Sequence, residues 1–184
     1  MGSKADIRKH VKALKKELST DTKTQSAKLV FEKLNALDSW KLAKNVLLYN
    51  SLPDELDTHS LIENAIINGK KNIYLPRVNG DDLDIVRVEN LGELTSGAFN
   101  IYEPNGNNII TPDMLDLIII PGVAFDRFGN RLGRGKGFYD RLLACTNAKK
   151  IGICYDCQLL EGIPTEAHDK KMDAIITPSE ILVF

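Results

Sequence analysis

A loop rich in glycine and in basic residues offers the clearest chemistry in this sequence. It spans residues 131–139 and reads RLGRGKGFY. Glycine lets the backbone adopt positive φ and approach a ligand closely, so consecutive N–H groups can converge on an anion. Arg131, Arg134 and Lys136 would repel one another unless negative charge lay among them. The loop therefore predicts a site for a polyphosphate.

Two familiar phosphate-binding motifs do not describe this loop. A Walker A loop requires a glycine, four intervening residues and then Gly-Lys followed by Ser or Thr. Here Asn130 takes the first position and Gly137 the last. The dinucleotide motif G-x-G-x-x-G fails as well, because the spacing from Gly133 is G-x-G-x-G. A flexible, solvated basic turn stays open as the alternative interpretation of the same residues.

The elements on either side of the loop predict its position in the fold. Residues 117–120 (LIII) are uniformly apolar and mostly β-branched, as in a central strand that is covered on both faces. Pro121 and Gly122 end that strand, and a helix is expected from about Phe138. Open α/β sheets bind ligands in such a place, and the amino end of the helix adds partial positive charge.

The alternation of strands and helices predicts an α/β fold. A strand at 45–50, a helix from Thr58 to Gly69 and a strand at 72–75 follow one another as in a βαβ unit, so part of the sheet is parallel. Further strands are expected at 85–88, 150–154, 174–176 and 181–184. The pattern indicates a mostly parallel open sheet flanked by helices, in a Rossmann-like three-layer architecture that forms one domain over residues 1–184.

Two helices are expected before the first strand. Ser3 and Asp6 resemble a capping box, although Asp replaces the usual Glu, and apolar residues follow at helical spacing. The second helix is expected over residues 22–36. The spacing in both segments is that of amphipathic helices, which cover one face of a sheet.

Composition excludes several classes of protein. The chain has 184 residues, 43% of them apolar and 27% charged, which suits one hydrophobic core. Its 24 basic and 25 acidic residues nearly cancel, so the overall charge favours neither nucleic acid nor membrane partners. No apolar run approaches a bilayer span, and the first residues lack the apolar core of a signal peptide, so a cytoplasmic protein is expected.

Ten residues of the loop segment closely resemble the signature of a known family. Residues 131–140 (RLGRGKGFYD) are similar to the signature of the 5-formyltetrahydrofolate cyclo-ligases, also called methenyltetrahydrofolate synthetases. Four further segments resemble that family in the same order, and the resemblance covers nearly the whole chain. They are residues 4–8 (KADIR), 51–58 (SLPDELDT), 74–77 (YLPR) and 120–126 (IPGVAFD).

The resemblance implies an ATP- and Mg²⁺-dependent ligase. The family joins N5 and N10 of 5-formyltetrahydrofolate through the formyl carbon, and yields 5,10-methenyltetrahydrofolate, ADP and phosphate. The formyl oxygen is phosphorylated first, because an amide oxygen does not leave as hydroxide at neutral pH. Catalysis of this kind needs charge neutralisation and alignment rather than an enzyme nucleophile. The expected partner is the folate, with or without a polyglutamate tail, and the expected state is a monomer or weak homodimer.

The resemblance also implies a role for each matching residue. Arg134, Lys136 and Tyr139 are implied as catalytic. Asp140 is implied as a Mg²⁺ ligand, with Asp173 as a second. The implied ATP-binding residues are Lys4, Arg8, Arg131, Leu132, Gly133, Arg134, Gly135, Lys136, Gly137, Phe138 and Tyr139. The implied folate-binding residues are Asn50, Glu55, Arg134, Gly135, Lys136, Gly137 and Phe138, and Phe138 stands where many members carry Tyr.

Each assignment has a simpler interpretation that the residues alone leave open. Lys4 and Arg8 could belong to a solvated basic helix face that also carries Lys9, Lys12, Lys15 and Lys16. Glu55 could be a loop carboxylate, Asp140 could complement the helix dipole, and Asp173 could be a loop residue before a strand. A nucleotide- or sugar-phosphate-binding module without ligase activity is the alternative function. An RNA-binding adaptor that uses the first helix is disfavoured by the near-neutral net charge.

The cysteines and histidines are given no role. Cys154 and Cys157 form a C-x-x-C pair without a second pair, and the odd third cysteine, Cys145, fits a reducing compartment. A surface position is expected for His168 next to Asp169, in preference to a proton-transfer pair.

Overall fold

Five helices and thirteen strands make up the part of the chain that the structure describes. The computed structural model describes residues 2–97, 102–166 and 169–184. The helices are α1 Lys4–Lys16, α2 Thr20–Ala36, α3 Asp38–Leu42, α4 His59–Asn68 and α5 Phe138–Ala144. The strands are β1 Asn45–Leu47, β2 Asn72–Asn79, β3 Asp82–Arg87, β4 Leu94–Ser96, β5 Tyr102–Pro104, β6 Ile109–Ile110, β7 Leu117–Ile120, β8 Ala124–Asp126, β9 Arg131–Leu132, β10 Lys149–Ile153, β11 Leu159–Leu160, β12 Ala174–Ile176 and β13 Ile181–Val183.

The main sheet has eight strands in the order β13-β12-β10-β7-β1-β2-β3-β6. Its five middle strands, from β12 to β2, are parallel. The outer strands β13, β3 and β6 are antiparallel to their neighbours. The predicted fold class, a mostly parallel open sheet flanked by helices, is confirmed.

The side chains of β7 show why the domain has three layers. Successive side chains of a strand point to opposite faces, and all four residues of β7 are fully buried. Leu117 and Ile119 join a buried cluster that includes residues of α2 and α4. Ile118 and Ile120 join a second cluster that includes residues of α5. Helices therefore cover both faces of the sheet, which explains the uninterrupted apolar run in the sequence.

A third apolar cluster holds α1 against a small separate sheet. β8 pairs with β9 and with β11 to form this three-stranded sheet. Ile7 and Val11 of α1 pack against Val123, Ala124 and Leu132. The first helix therefore lies directly behind the strand that leads into the glycine loop.

The helix boundaries follow the capping chemistry. Ser3 and Asp6 form the expected capping box at the start of α1. The second helix begins at Thr20, two residues earlier than expected, because the side chain of Ser19 accepts a hydrogen bond from the backbone of Thr22. Gly69 ends α4 in the left-handed conformation, with φ of 65°. Among the described residues, no helix is long and apolar enough to cross a membrane.

Three short features of the structure were not expected from the sequence. α3 has only five residues and buries Trp40. β1 ends at Leu47, although the chain stays buried through Tyr49. The small sheet consists of strands of two or three residues. Periodicity cannot identify strands this short, because it needs several residues to repeat.

Candidate active site

A cleft of about 420 Å³ opens at the carboxyl ends of β1 and β7. Tyr49 and Asn50 follow β1 at its wall, and Pro121 and Gly122 follow β7. This is the edge at which open α/β sheets bind ligands. The cleft is also lined by Glu55 and by residues 133–140, so the structure brings the predicted phosphate loop and the predicted folate residues into one site.

Two glycines in the left-handed backbone conformation determine the path of the glycine loop. Gly135 has φ of 97° and Gly137 has φ of 73°. Gly133 does not have the positive φ that was predicted for it. A Cβ atom at this position would lie 3.0 Å from Nη1 of Arg131, which is a tight contact. Gly137 is also the residue at which α5 begins. The loop is therefore a turn between β9 and α5 that residues other than glycine would strain.

The first helix supports this loop from behind. Nε of Arg8 donates a hydrogen bond of 2.9 Å to the main-chain oxygen of Gly133. Leu132 is 2% exposed and lies in the cluster under α1. Its side chain packs in the core and is not among the residues that line the cleft, so only its backbone could contact ATP, and its predicted place among the ATP-binding residues stays a prediction.

Arg131 is a nearly buried cation at the end of the cleft. Its side chain is 5% exposed and its Nη2 lies 2.5 Å from Oδ1 of Asp140. Nη1 donates to the main-chain oxygen of Pro121 at 3.2 Å. Nε is buried and has no hydrogen-bond partner among the described residues. A buried donor of this kind is costly to leave unpaired, and it lies at the cleft that the loop surrounds.

Arg134 reaches across the cleft to two carboxylates. Its Nη2 donates to Oδ1 of Asp54 at 2.6 Å and to Oε1 of Glu55 at 3.0 Å. Its Nε donates to the same oxygen of Glu55 at 3.2 Å. The other oxygen of Glu55 accepts from the backbone of Leu52 at 3.0 Å. The glycine loop and the turn after β1 are thus joined by charge-assisted hydrogen bonds.

Lys15 is a buried residue behind the site that was not predicted from the sequence. Its side chain is 4% exposed, and its Nζ donates to both the main-chain oxygen and Oδ2 of Asp54. Burial alone would raise the pKa of Asp54, but hydrogen bonds from Arg134 and Lys15 outweigh it and lower that pKa. One signal was available: Lys15 follows the buried Ile7 and Val11 at intervals of four, and so belongs to the inward helix face.

The turn after β1 is held by buried hydroxyl groups. Oγ1 of Thr58 donates to the main-chain oxygen of Tyr49 at 2.5 Å, and the backbone of Thr58 donates to Oγ of Ser51 at 3.0 Å. The hydroxyl of Tyr155 donates to the main-chain oxygen of Glu55 at 2.9 Å. Burial raises the pKa of Tyr155 to about 12, so this donor keeps its proton at neutral pH. The turn therefore presents Glu55 on a fixed backbone.

The other wall of the cleft is apolar with a few polar groups. Nδ2 of Asn50 donates to the main-chain oxygen of Tyr102 at 3.0 Å, while its buried Oδ1 has no partner among the described residues. Glu103 is 8% exposed and accepts from the backbone of Val78 at 3.1 Å. Pro76, Val78, Leu83 and Tyr102 line the same wall. Such a wall suits a flat ring with several N–H and C=O groups.

Tyr139 stands between the two walls. Its ring lies 5.6 Å from the guanidinium carbon of Arg131. Burial, together with the negative charge of Glu55, raises the pKa of the Tyr139 hydroxyl. The hydroxyl is therefore protonated at neutral pH and can donate a hydrogen bond in the cleft.

Comparison with known proteins shows the family to which the chain belongs. The family model described as 5-formyltetrahydrofolate cyclo-ligase matches residues 1–178. The chain belongs to that family. A probable 5-formyltetrahydrofolate cyclo-ligase of Schizosaccharomyces pombe is 38% identical over 165 residues, which cover 79% of this chain and 80% of that protein. The Escherichia coli K12 cyclo-ligase is 36% identical over 148 residues, 76% of this chain and 81% of the relative.

Solved structures show the same fold. The NMR structure of Aquifex aeolicus 5,10-methenyltetrahydrofolate synthetase is 34% identical and superposes with a TM-score of 0.89, over 98% of this chain and 92% of that one. A synthetase from Mycoplasma pneumoniae, 24% identical, superposes with a TM-score of 0.79. The predicted membership of the cyclo-ligase family, and with it the prediction of a ligase, is confirmed.

The structure separates the two predicted metal ligands. Asp140 lies at the cleft, but Asp173 immediately precedes β12 and accepts from the backbone of Lys150 at 2.8 Å. β12 runs parallel to β10, and β10 to β7, so Asp173 lies at the sheet edge opposite the cleft. The expectation that both bind one ion is corrected: Asp173 is positioned by the starts of parallel strands and bonds to Lys149 and Lys150.

Lys4 is not among the residues that line the cleft, and it pairs with two carboxylates. Its Nζ lies 2.8 Å from Oε1 of Glu166 and 3.3 Å from Oδ2 of Asp169. The hydrogen bond with Glu166 is the main reason why the pKa of Lys4 is raised. The predicted contact of Lys4 with ATP stays a prediction. In the structure the ammonium group of Lys4 pairs with carboxylates of the loop before β12.

The cysteines and histidines stay outside the cleft, as far as the structure describes them. Cys145, Cys154 and Cys157 are free, and burial raises the pKa of Cys154. His59 bonds to the neighbouring Asp57 through Nδ1 at 2.5 Å. His168 lies outside the described residues.

Proposed function

We propose that this chain catalyses the ATP- and Mg²⁺-dependent cyclisation of 5-formyltetrahydrofolate to 5,10-methenyltetrahydrofolate, with release of ADP and phosphate. One observation carries the proposal: the basic glycine loop and the carboxylate of Glu55 face each other across one cleft, and Arg134 spans the gap. A reaction between a nucleotide and a pterin needs both kinds of surface within reach of each other.

The loop supplies the phosphate half of the site. Its two left-handed glycines turn the backbone before α5, and Lys136 lines the cleft beside them. Arg131 lines the cleft as well, and a guanidinium group is the kind of donor that a phosphate oxygen accepts from. Backbone N–H groups and cations together neutralise a polyphosphate without a Walker motif. ATP is the ligand of this class that the family reaction requires.

The turn after β1 supplies the folate half. A pterin ring presents adjacent N–H donors, and the Glu55 carboxylate can accept two of them as a guanidinium-like pair. The buried Oδ1 of Asn50 is an acceptor without a partner among the described residues, and it lies at the same cleft. Pro76, Val78 and Leu83 offer the apolar surface against which a flat ring packs.

The chemistry follows from where these halves meet. The formyl oxygen attacks the γ-phosphorus of ATP and ADP leaves, which makes that oxygen part of a phosphate leaving group. N10 then attacks the formyl carbon, N10 loses its proton, and the C–O bond breaks as phosphate departs. Arg134 and Lys136 stabilise the negative charge on the transferred phosphoryl group. Because Tyr139 keeps its proton, it acts as a hydrogen-bond donor to an oxygen of a bound substrate and does not act as a base.

One carboxylate in the cleft fits a magnesium ion that arrives with the nucleotide. Mg²⁺ is usually held by one or two carboxylates, by waters and by substrate phosphates. Among the described residues there is no group of three acidic, histidine or cysteine side chains that could hold a metal by itself. Asp140, whose Oδ1 pairs with Arg131, would supply the carboxylate. The ion would neutralise phosphate charge.

The direct test is to incubate the purified chain with MgATP and 5-formyltetrahydrofolate and to record the absorbance of the methenyl product. We expect product only when both substrates are present. A chain that makes no product with either substrate in excess contradicts the proposal. Titration calorimetry distinguishes the alternative, because a phosphate-binding module without ligase chemistry binds nucleotide and gains nothing from folate.

A substitution at Glu55 tests the folate half. We expect Glu55→Ala to raise KM for 5-formyltetrahydrofolate by about tenfold to a hundredfold, because a charge-assisted pair contributes about 1.5–3 kcal/mol. Nucleotide affinity measured by calorimetry should change far less. Glu161→Ala is the matched control, since Glu161 is 90% exposed and pairs with Arg127 on the surface. Equal KM values for Glu55→Ala and the control would remove Glu55 from the site.

A further inference from the structure

A buried lysine below the cleft has no part in the chemistry proposed above. Both hydrogen bonds of the Lys15 ammonium go to Asp54, at 2.5 Å to the main-chain oxygen and 3.0 Å to Oδ2. Taking an ammonium group out of water is costly unless a paired charge offsets the loss. An apolar side chain would fill the same space without that cost. Packing therefore does not explain why a lysine paired with Asp54 occupies this position.

Asp54 links this lysine to the cleft. Its Oδ2 faces Lys15, and its Oδ1 accepts from Nη2 of Arg134 at 2.6 Å. Nη2 is shared, because it also donates to Glu55 at 3.0 Å. Four charges of alternating sign thus run from the first helix to the folate side of the cleft, in the order Lys15, Asp54, Arg134 and Glu55.

The proposed function gives the two carboxylates different tasks. Glu55 accepts hydrogen bonds from the N–H groups of the pterin. Its hydrogen bonds with Arg134 must therefore weaken or break when folate binds. Asp54 has no such task, and its second oxygen is fixed by the buried lysine. Arg134 therefore keeps one fixed contact throughout the reaction cycle. A guanidinium group held at one end swings less than one held only by a carboxylate that the substrate also uses.

We propose that Asp54, anchored by Lys15, is a positioning residue that holds Arg134 at the boundary between the folate and the transferred phosphoryl group. The inference rests on the proposed function, because it assigns Arg134 to the phosphoryl group. Asp54 acts through Arg134 and does not touch the reacting atoms. Its contribution is orientation, and a misplacement of about 1 Å can lower a rate by about a hundredfold.

The backbone of the turn does not depend on the side chain of Asp54. Thr58 bonds to Tyr49 and to Ser51 across the turn, and Tyr155 holds the main-chain oxygen of Glu55. Asp54→Asn keeps the shape of the side chain and removes its charge. The turn should therefore keep its shape, and Lys15 keeps the main-chain oxygen of Asp54 as an acceptor. Lys15 loses its counter-charge, so the melting temperature should fall, and activity is compared well below that temperature.

A double-mutant cycle tests the inference. We expect Asp54→Asn to lower kcat by about tenfold to a hundredfold, with each KM within about threefold of the wild-type value. In an Arg134→Ala background, Asp54→Asn should change kcat by less than about twofold, because its target is gone. A loss of the same factor in both backgrounds would show that Asp54 acts independently of Arg134 and would overturn the inference. Melting temperatures of all four proteins are recorded.

Two lysines on the same helix provide a matched comparison. Lys15→Met removes the anchor of Asp54 and should lower kcat, whereas Lys12→Met, at an exposed position, should leave it unchanged. If Lys15→Met does not fold, the Asp54→Asn cycle decides the question, because the main-chain oxygen of Asp54 and the amide oxygen of an asparagine can still accept from Lys15. No product from the wild-type chain refutes the proposed function and this inference with it. An active wild type beside an equally active Asp54→Asn refutes the inference alone.

Discussion

Opposite charges meet in pairs across the cleft. Arg134 bonds to Asp54 and Glu55, and Arg131 bonds to Asp140. Phosphates that enter the cleft must therefore share these cations with carboxylates of the protein. Such sharing keeps the cations ordered, and pre-ordered groups lose less freedom when a transition state forms.

Lys136 offers the sharpest test at the scale of a single residue. It lies in the cleft on the glycine loop, and we predict that Lys136→Ala lowers kcat/KM by about a hundredfold to a thousandfold, the usual effect of removing one group that stabilises transition-state charge. The melting temperature should fall by less than about 2 °C, since surface substitutions change stability little. Steady-state kinetics and a thermal melt measure the two quantities.

Lys41→Ala is the control for that prediction. Lys41 carries the same charge and is 56% exposed in a surface pair with Asp38. Its removal should change neither activity nor melting temperature appreciably. If Lys136→Ala turns over as fast as Lys41→Ala, Lys136 has no part in the mechanism.

At the scale of elements, the left-handed turn before α5 is the feature that shapes the loop. Gly137 has φ of 73°, and a side chain there would lie 2.7 Å from Nη1 of Arg141. Gly69 has a similar φ of 65° at the end of α4, with open space around it. The two glycines carry the same backbone requirement, but only one of them lies at the cleft.

We predict that Gly137→Ala and Gly69→Ala each lower the free energy of unfolding by about 1–2 kcal/mol, because alanine disfavours the left-handed region by that amount. Only Gly137→Ala should also lower kcat/KM, by tenfold or more. Urea unfolding and the cyclisation assay measure the two effects. Full activity in Gly137→Ala, beside the expected loss of stability, would show that this turn does not shape the proposed phosphate site.

At the scale of the whole molecule, ion pairs between separate segments make stability depend on pH. The hydrogen bond from Arg77 is the main reason why the pKa of Asp84 is lowered, and this pair joins β2 to β3. The pKa of Asp54 and that of Asp173 are also lowered, because hydrogen bonds from basic side chains and backbone groups outweigh the effect of burial. In each case the unfolded chain binds a proton more readily than the folded one.

Stability should therefore be full above the unfolded pKa of aspartate, about 3.9, and fall as the pH drops through the lower folded values. Asp84→Asn should cost about 1 kcal/mol at pH 7, and its difference from the wild type should shrink below pH 4. Urea unfolding at pH 7 and at pH 3 tests this. Asp38→Asn, at a side chain 88% exposed, is the control and should change stability by less than about 0.5 kcal/mol at either pH.

The sequence by itself determined the class of fold and located the glycine loop for which we propose phosphate binding. The apolar run of β7, the βαβ pattern around α4 and the cap of α1 are local signals, because each depends on the spacing of neighbouring residues. The short strands β8, β9 and β11 were missed, since strands of two or three residues show no periodicity. The pairing of β11 with β8 also joins residues more than thirty positions apart, such as Leu159 and Phe125. Local patterns contain no information on such partners.

Tertiary structure alone decided which charges meet. It placed Lys15 inside and paired it with Asp54, although a lysine among lysines is typical of a solvated helix face. It also placed Asp173 at the sheet edge away from the cleft. Whether a charged group is buried, and beside which partner, depends on the packing of whole elements rather than on residue type. For that reason the sequence identified the loop, and only the fold showed which residues hold the side chain of Arg134.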